Sequence, residues 1–251
     1  MSHDFRPDDP ADAVRVAYER EGVVRVRGFL TPDEVARTRD ALARYVREVV
    51  PGLTQGDVTY EADGVSVRNL WRMERHDPYF RALAERPAVL GLIGELVNGE
   101  PVLAAVETFN KPARTGSGVP AHQDNAYFCQ SPPDMLTVWI ALDPATVENG
   151  AIYYVRGSHH TLLPHRPSGV RGNSMGVADP PDPAMADEFC GTLGAGDALI
   201  HHCQTIHRSD PNATDSPRCG LLLVYRGAHT RDDPALRAAY QAALASAAPT
   251  G

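Results

Sequence analysis

The texture of the chain from residue 101 onward constrains its fold more than any other feature. Short runs rich in β-branched and aromatic residues, at 102–109, 136–142, 151–155, 198–202 and 219–225, are separated by clusters of Gly, Pro, Asn and Asp. Runs of that length bounded by turn residues read as strands. Glu148-Asn149-Gly150 is the clearest break, because Asn-Gly readily adopts the positive φ angles of a tight turn. Several short strands with such turns predict a sandwich or a small barrel. The Pro- and Gly-rich stretch 164–183 is too long for a simple hairpin loop. Its part 166–183 is expected to form a lid, with Gly169, Gly172 and Gly176 permitting unusual backbone angles.

The first third is helical in character. Thr31 is placed to cap a helix, Pro32 suits its first position, and Glu34 completes a capping box. Val35, Leu42, Tyr45, Val46 and Val49 continue the helical spacing as far as Pro51. A second helix is predicted over about 76–97, with Phe80, Leu83, Leu90, Ile93 and Leu96 as its core stripe. A short strand is predicted from Val23 to Val26. At 251 residues, 43% of them hydrophobic, the chain suits one domain over 1–251, helical to about 100 with its β core over about 101–230. The expected class is mainly β with flanking helices.

Charge narrows the partners. The net charge is -8 and the arginines are scattered, so no basic stripe can track phosphates and nucleic acid is a poor partner. The negative balance reads as solubility, with steering of a cationic substrate as the alternative. No apolar run approaches the roughly 20 residues of a membrane span. MSHDFRPDDPADA has neither the basic nor the apolar region of a signal peptide. Cys129, Cys190, Cys203 and Cys219 form no CxxC pair and read as reduced thiols, so a cytoplasmic protein without membrane association is expected. The oligomeric state is left open.

His122-Gln123-Asp124 sets an imidazole and a carboxylate two residues apart, and on an extended segment both point the same way. HxD alone is a weak signal in a chain with ten histidines. A third ligand is available from the segment 196–207, which offers His201, His202 and His207. Two histidines and one carboxylate on one face of a metal leave positions open, which suits non-haem Fe(II). Arg218 follows His207 by eleven residues, beyond the turn Asp210-Pro211-Asn212, and a buried arginine there can fork onto a carboxylate. That spacing favours His207 as the distal ligand, with His201 and His202 as packing or supporting groups.

These segments carry a family resemblance. HQDNAYF, then TVWIALDPATVENGAIYYVRGSH, then GDALIHHCQTIHRSDPN followed by Arg218, resemble the phytanoyl-CoA dioxygenase family of Fe(II)/2-oxoglutarate oxygenases. The likeness runs from about Gly22 to Tyr225 and includes HDPYFRALAERPAVLGLIGELV. It implies a double-stranded β-helix (a cupin-like jelly roll) with iron held by His122, Asp124 and His207. It implies Arg218 as the 2-oxoglutarate anchor, with Ser209 and either Asn110 or Lys111 assisting. The co-substrates are then 2-oxoglutarate and dioxygen, and the reaction is oxidation of an unactivated C–H bond of a small molecule. Hydroxylation is one outcome; cyclisation, desaturation and epimerisation are related ones. Halogenases of this type replace the carboxylate ligand by a small residue, so Asp124 favours oxygenation. Asn125, Tyr127, Phe128, Arg68, Trp71 and Trp139 are the candidate substrate contacts. The Ala-, Arg-, Gly- and Pro-rich composition suggests a bacterial tailoring step in natural-product (antibiotic) biosynthesis. The rivals are a non-catalytic jelly-roll binding protein and a zinc hydrolase using the same three residues.

Overall fold

A computed structural model of the chain describes residues 4–54 and 56–247. β1 (Asp4–Phe5), α1 (Ala11–Glu21) and β2 (Val23–Val26) lead into α2 (Pro32–Glu48). The α2 capping box is present: the Thr31 hydroxyl accepts from the Glu34 amide while the Glu34 carboxylate accepts from the Thr31 amide. A hairpin of β3 (Val58–Tyr60) and β4 (Val67–Leu70) follows. The helical reading of the first third therefore needs correction, because this region also supplies four strands to the main sheet. The helix predicted over 76–97 is two helices, α3 (Pro78–Ala84) and α4 (Pro87–Leu96). Pro87 has no N–H to continue α3 and forces Arg86 into an extended conformation.

The β region runs β5 (Pro101–Lys111), β6 (Val119–His122), the one-turn helix α5 (Asn125–Phe128), β7 (Gln130–Ser131), β8 (Met135–Ala141) and β9 (Ile152–Val155). It continues with β10 (His165–Val170), β11 (Asn173–Val177), β12 (Glu188–Gly191), β13 (Ala198–His202), β14 (His207–Ser209), β15 (Arg218–Gly227) and β16 (Arg231–Asp232). The closing helix α6 (Pro234–Ala247) begins at Asp233, whose carboxylate accepts the Ala235 and Leu236 amides.

Eight strands form a large sheet in the order β1-β2-β13-β8-β15-β5-β4-β3, and four form a small one in the order β12-β9-β14-β6. From β5 onward the chain passes repeatedly between the two sheets, which makes the fold a double-stranded β-helix, or jelly roll. Strand periodicity assigns the faces. Val106, Val138, Ile140, Ile200, Leu221 and Leu223 turn outward beneath the N-terminal helices, against Tyr45, Phe80 and Ile93. Burying each such aliphatic side chain is worth about 1.5–3 kcal/mol, so this layer holds the large sheet in place. The alternate residues face inward, where Trp139 and Leu199 pack on Ile152 and Tyr154 of the small sheet. The interior between the sheets is where the polar residues of the site gather.

Candidate active site

His122 ends β6 and His207 begins β14, and the two stand directly opposite each other in the ladder. Asp124 lies just past β6, with helical dihedrals, at the start of α5. The extended HxD segment expected from sequence is thus a strand end joined to a helical turn. His122 Nε2 and His207 Nε2 nevertheless lie 3.4 and 3.7 Å from Asp124 Oδ1. All three residues are buried, and their ligand atoms fall within 4.8 Å of one another. Gln123, between the two, points away into the loops, where its side-chain NH2 donates to the carbonyls of Thr161 and Gln204.

The surroundings prepare these groups for a cation. Nδ1 of His122 lies 2.9 Å from the Pro120 carbonyl, and Nδ1 of His207 lies 2.9 Å from the Thr205 carbonyl. A carbonyl only accepts, so each Nδ1 carries the proton and each Nε2 presents a lone pair. Burial, reinforced by His122, pulls the His207 pKa well below its usual value and keeps the ring neutral. Burial alone would raise the Asp124 carboxyl. The imidazoles of His207, His122 and His201 packed around it outweigh burial and hold Asp124 well below the carboxylate range. The Tyr127 hydroxyl donates to Asp124 Oδ1, and His201 Nε2 lies 3.3 Å from Oδ2. His201 sits in β13 with its other nitrogen 3.1 Å from the Tyr154 hydroxyl, a supporting position.

Arg218 opens β15 and is buried. Its Nη2 donates to the Gly150 carbonyl at 2.8 Å, and its guanidinium lies 4.9 Å above the Trp139 ring. Nε and Nη1 have no partner. Burial lowers its pKa to about 10, which leaves it a cation at neutral pH. Two glycines make room. Gly150 has φ 89°, and a Cβ there would stand 2.4 Å from the Asp210 carbonyl oxygen. A Cβ on Gly220 would stand 2.1 Å from the Trp139 ring.

The histidines, Asp124 and Arg218 open onto one cavity of roughly 530 Å³. Of the residues expected near substrate or co-substrate, Ser209, Trp71, Tyr127, Phe128 and Trp139 line it. Four other candidates lie elsewhere. Arg68 is buried in an ion pair with Glu61, and Asn110 faces outward, its side chain donating to the Val67 carbonyl. Lys111 has the inward parity, but its amine turns to the Asp210 carbonyl. Asn125 braces α5 through Gln130. The stretch 166–183 holds the β10–β11 hairpin, whose Val170, Gly172, Asn173 and Ser174 wall the cavity. Gly169 and Gly172 have positive φ while Gly176 does not. Glu107, Phe109, Thr59 and Tyr240 also line the cavity and are absent from the sequence reading. Alternation along β5 puts Glu107 and Phe109 on the inward face, and the Asp233-Pro234 helix start carries Tyr240.

An open His–Asp–His cluster inside a jelly roll, beside a buried arginine that lacks a counter-ion, defines the 2-oxoglutarate-dependent non-haem iron dioxygenases, and the chain is an enzyme of this class. It belongs to the phytanoyl-CoA dioxygenase (PhyH) family, which matches residues 18–220. It is 28% identical to L-proline trans-4-hydroxylase of Streptomyces griseoviridis over 231 residues, covering 84% of each protein. It is 25% identical to ectoine dioxygenase of Stutzerimonas stutzeri (strain A1501), covering 83% of this chain and 74% of that one. The crystal structure of the non-heme alpha ketoglutarate dependent epimerase SnoN from nogalamycin biosynthesis superposes with a TM-score of 0.73 at 26% identity, covering 89% of this chain and 85% of the other. Among the described residues, no helix is long and apolar enough to cross a membrane.

Proposed function

We propose that the chain oxidises an unactivated C–H bond of a small molecule, with iron on His122, Asp124 and His207 and the distal carboxylate of 2-oxoglutarate on Arg218. The observation that carries this reading is Arg218: a buried cation with two unsatisfied donors, opening on the same cavity as the three ligands. A buried unpaired guanidinium is costly, and a carboxylate fork removes the cost. Ser209 lies two residues after His207 on the same strand face and adds a hydroxyl beside that fork. Iron with 2-oxoglutarate and dioxygen supplies the oxidising power.

The chain's own residues do the rest. Nε2 of His122 and of His207 are held ready by the backbone carbonyls behind them. Tyr127 fixes the Asp124 carboxylate, and the β10–β11 hairpin closes one side of the cavity against water. The names of the relatives, a proline hydroxylase and an epimerase of nogalamycin biosynthesis, support a tailoring step on a small metabolite, natural products included.

Oxygen-free protein given Fe(II) and 2-oxoglutarate should develop a weak visible charge-transfer band, and admission of air should release succinate slowly. A zinc hydrolase gives no band, and a non-catalytic jelly roll gives no succinate. Absence of both signals, with no 2-oxoglutarate binding, would sink the proposal.

A further inference from the structure

Every charged side chain on the cavity wall has a partner or an assigned task, except one. Arg72 is paired with Asp57 at 2.8 Å, and Arg208 with Glu188 at 2.7 Å. Arg218 is assigned to 2-oxoglutarate and Asp124 to the metal. Glu107, in the middle of β5, makes no hydrogen bond or ion pair among the described residues. It faces inward beside Leu222 of β15, which in turn pairs with Trp139 of β8. Its half-buried carboxylate is therefore presented to the cavity rather than to a protein group.

Charge balance gives this carboxylate a meaning. On the reading above, a metal dication and Arg218 together cancel Asp124 and the two carboxylates of 2-oxoglutarate. Glu107 then remains as the single uncompensated acid on the cavity wall. Burial, with Asp124 and Glu74 nearby, pushes its pKa up to about 8 against the opposing pull of Arg72, so its charged form is costly there unless a cation stands beside it. Trp71, Phe109, Tyr127, Phe128 and Tyr240 line the same cavity, with one face of Phe109 already covered by Arg68. Ring faces attract cations, and a carboxylate among rings is a site for a substituted ammonium group.

We propose that Glu107 is a specificity-determining residue that selects a substrate carrying a basic nitrogen, held as a cation between the Glu107 carboxylate and the aromatic wall. This deepens the functional reading and rests on it, because the balance assumes metal and 2-oxoglutarate in place. A neutral or acidic molecule offers Glu107 no charge to pair with. An amine completes the pairing and is drawn toward the same space as the three metal-ligand candidates.

Trp71 and Trp139 are the chain's only tryptophans, and both line the cavity, so intrinsic fluorescence reports its occupancy. The test titrates oxygen-free protein loaded with Fe(II) and 2-oxoglutarate with benzylamine, benzyl alcohol and benzoate, which match in size and differ in charge. Benzylamine should bind at least about tenfold more tightly than either analogue, a preference of the size expected for one paired charge. Glu107→Gln should reduce the preference to within threefold, whereas Glu107→Asp, which keeps the charge, should retain most of it. Equal binding of the three probes to the wild type, or a preference that survives in Glu107→Gln, would overturn the inference. The affinity for 2-oxoglutarate is measured separately and should be unchanged in Glu107→Gln. Loss of 2-oxoglutarate binding by the wild type would strike the co-substrate assignment, while charge preference alone decides the role of Glu107.

Discussion

Among the described residues, Arg68 and Arg218 are the two largest fully buried side chains, at 0% and 1% exposure, and they flank the same strand, β5. Each guanidinium lies over an aromatic ring, Arg68 at 4.8 Å from Phe109 and Arg218 at 4.9 Å from Trp139. Their difference is the counter-ion. Arg68 meets the buried Glu61 carboxylate at 2.8 Å, and Glu61 is further fixed by the Ser117 amide and hydroxyl. Arg218 has a carbonyl on one nitrogen and nothing on the other two. The same residue type, equally buried, is a closed structural pair in one place and an open receptor in the other. A missing counter-ion, rather than burial or residue type, marks the site, for Arg68 too has one nitrogen without a partner.

The comparison can be broken at either end. Arg68→Met should leave Glu61 buried and alone, which costs about 3–5 kcal/mol. For a domain of this size that lowers the melting temperature by roughly 10 °C. Adding Glu61→Leu should restore most of the loss, because an apolar pair is tolerated where a lone charge is not. Thermal melts of the single and double variants check both points. If the double variant melts as low as the single one, Arg68 acts through packing alone. Arg218→Met should do the opposite. Without ligands it should melt no lower than the wild type, since no carboxylate is orphaned. Its affinity for 2-oxoglutarate should fall by about 100-fold or more, the usual result of truncating one side of a charge-assisted pair. Its iron affinity should change little, and parallel loss of both would remove Arg218 from its assigned role. Next in size is the ligand's own effect. At about 100 times its dissociation constant, 2-oxoglutarate should stabilise iron-loaded wild type by roughly 2.7 kcal/mol and Arg218→Met hardly at all.

The contrast also explains what the sequence could show. Strands β2 and β13 are read to the residue, because turn residues bound them sharply. The metal-ligand candidates are legible because HxD, a downstream histidine and an arginine form an order that packing alone does not require. The two buried arginines are not distinguishable in one dimension, since the partner that closes Arg68 sits across the β3–β4 hairpin. Asp63-Gly64 marks that hairpin in the sequence, a turn signal that a helical reading of the region passes over. Along β5 a period of two leaves two faces to choose from. The choice of Asn110 takes the outer face, while Glu107 and Phe109 hold the inner one. Backbone carbonyls behind His122 and His207 depend on the folded chain and leave no trace in residue order.

Lys111 lies between the two cases and supplies the smallest test. It stands opposite Arg218 in the ladder, is fully buried, and has a carbonyl instead of a carboxylate on its amine. Burial, then Arg218, lowers its pKa from 10.5 to about 6. Between those values the unfolded chain holds a proton that the folded chain lacks, so this group makes stability rise with pH across the window. Lys111→Met removes the dependence. The variant should melt a few degrees above the wild type near pH 6, and the gap should shrink as the pH approaches 10. A gap independent of pH would mean that Lys111 stays charged in the fold, with a counter-charge supplied. The same linkage reaches the co-substrate. A dianion on Arg218 would favour protonated Lys111, so 2-oxoglutarate binding by the wild type should take up a proton and weaken severalfold from pH 7 to 9. In Lys111→Met that slope should flatten. If it does not, Lys111 belongs with Arg68 as a structural residue, and Arg218 holds the carboxylate without it.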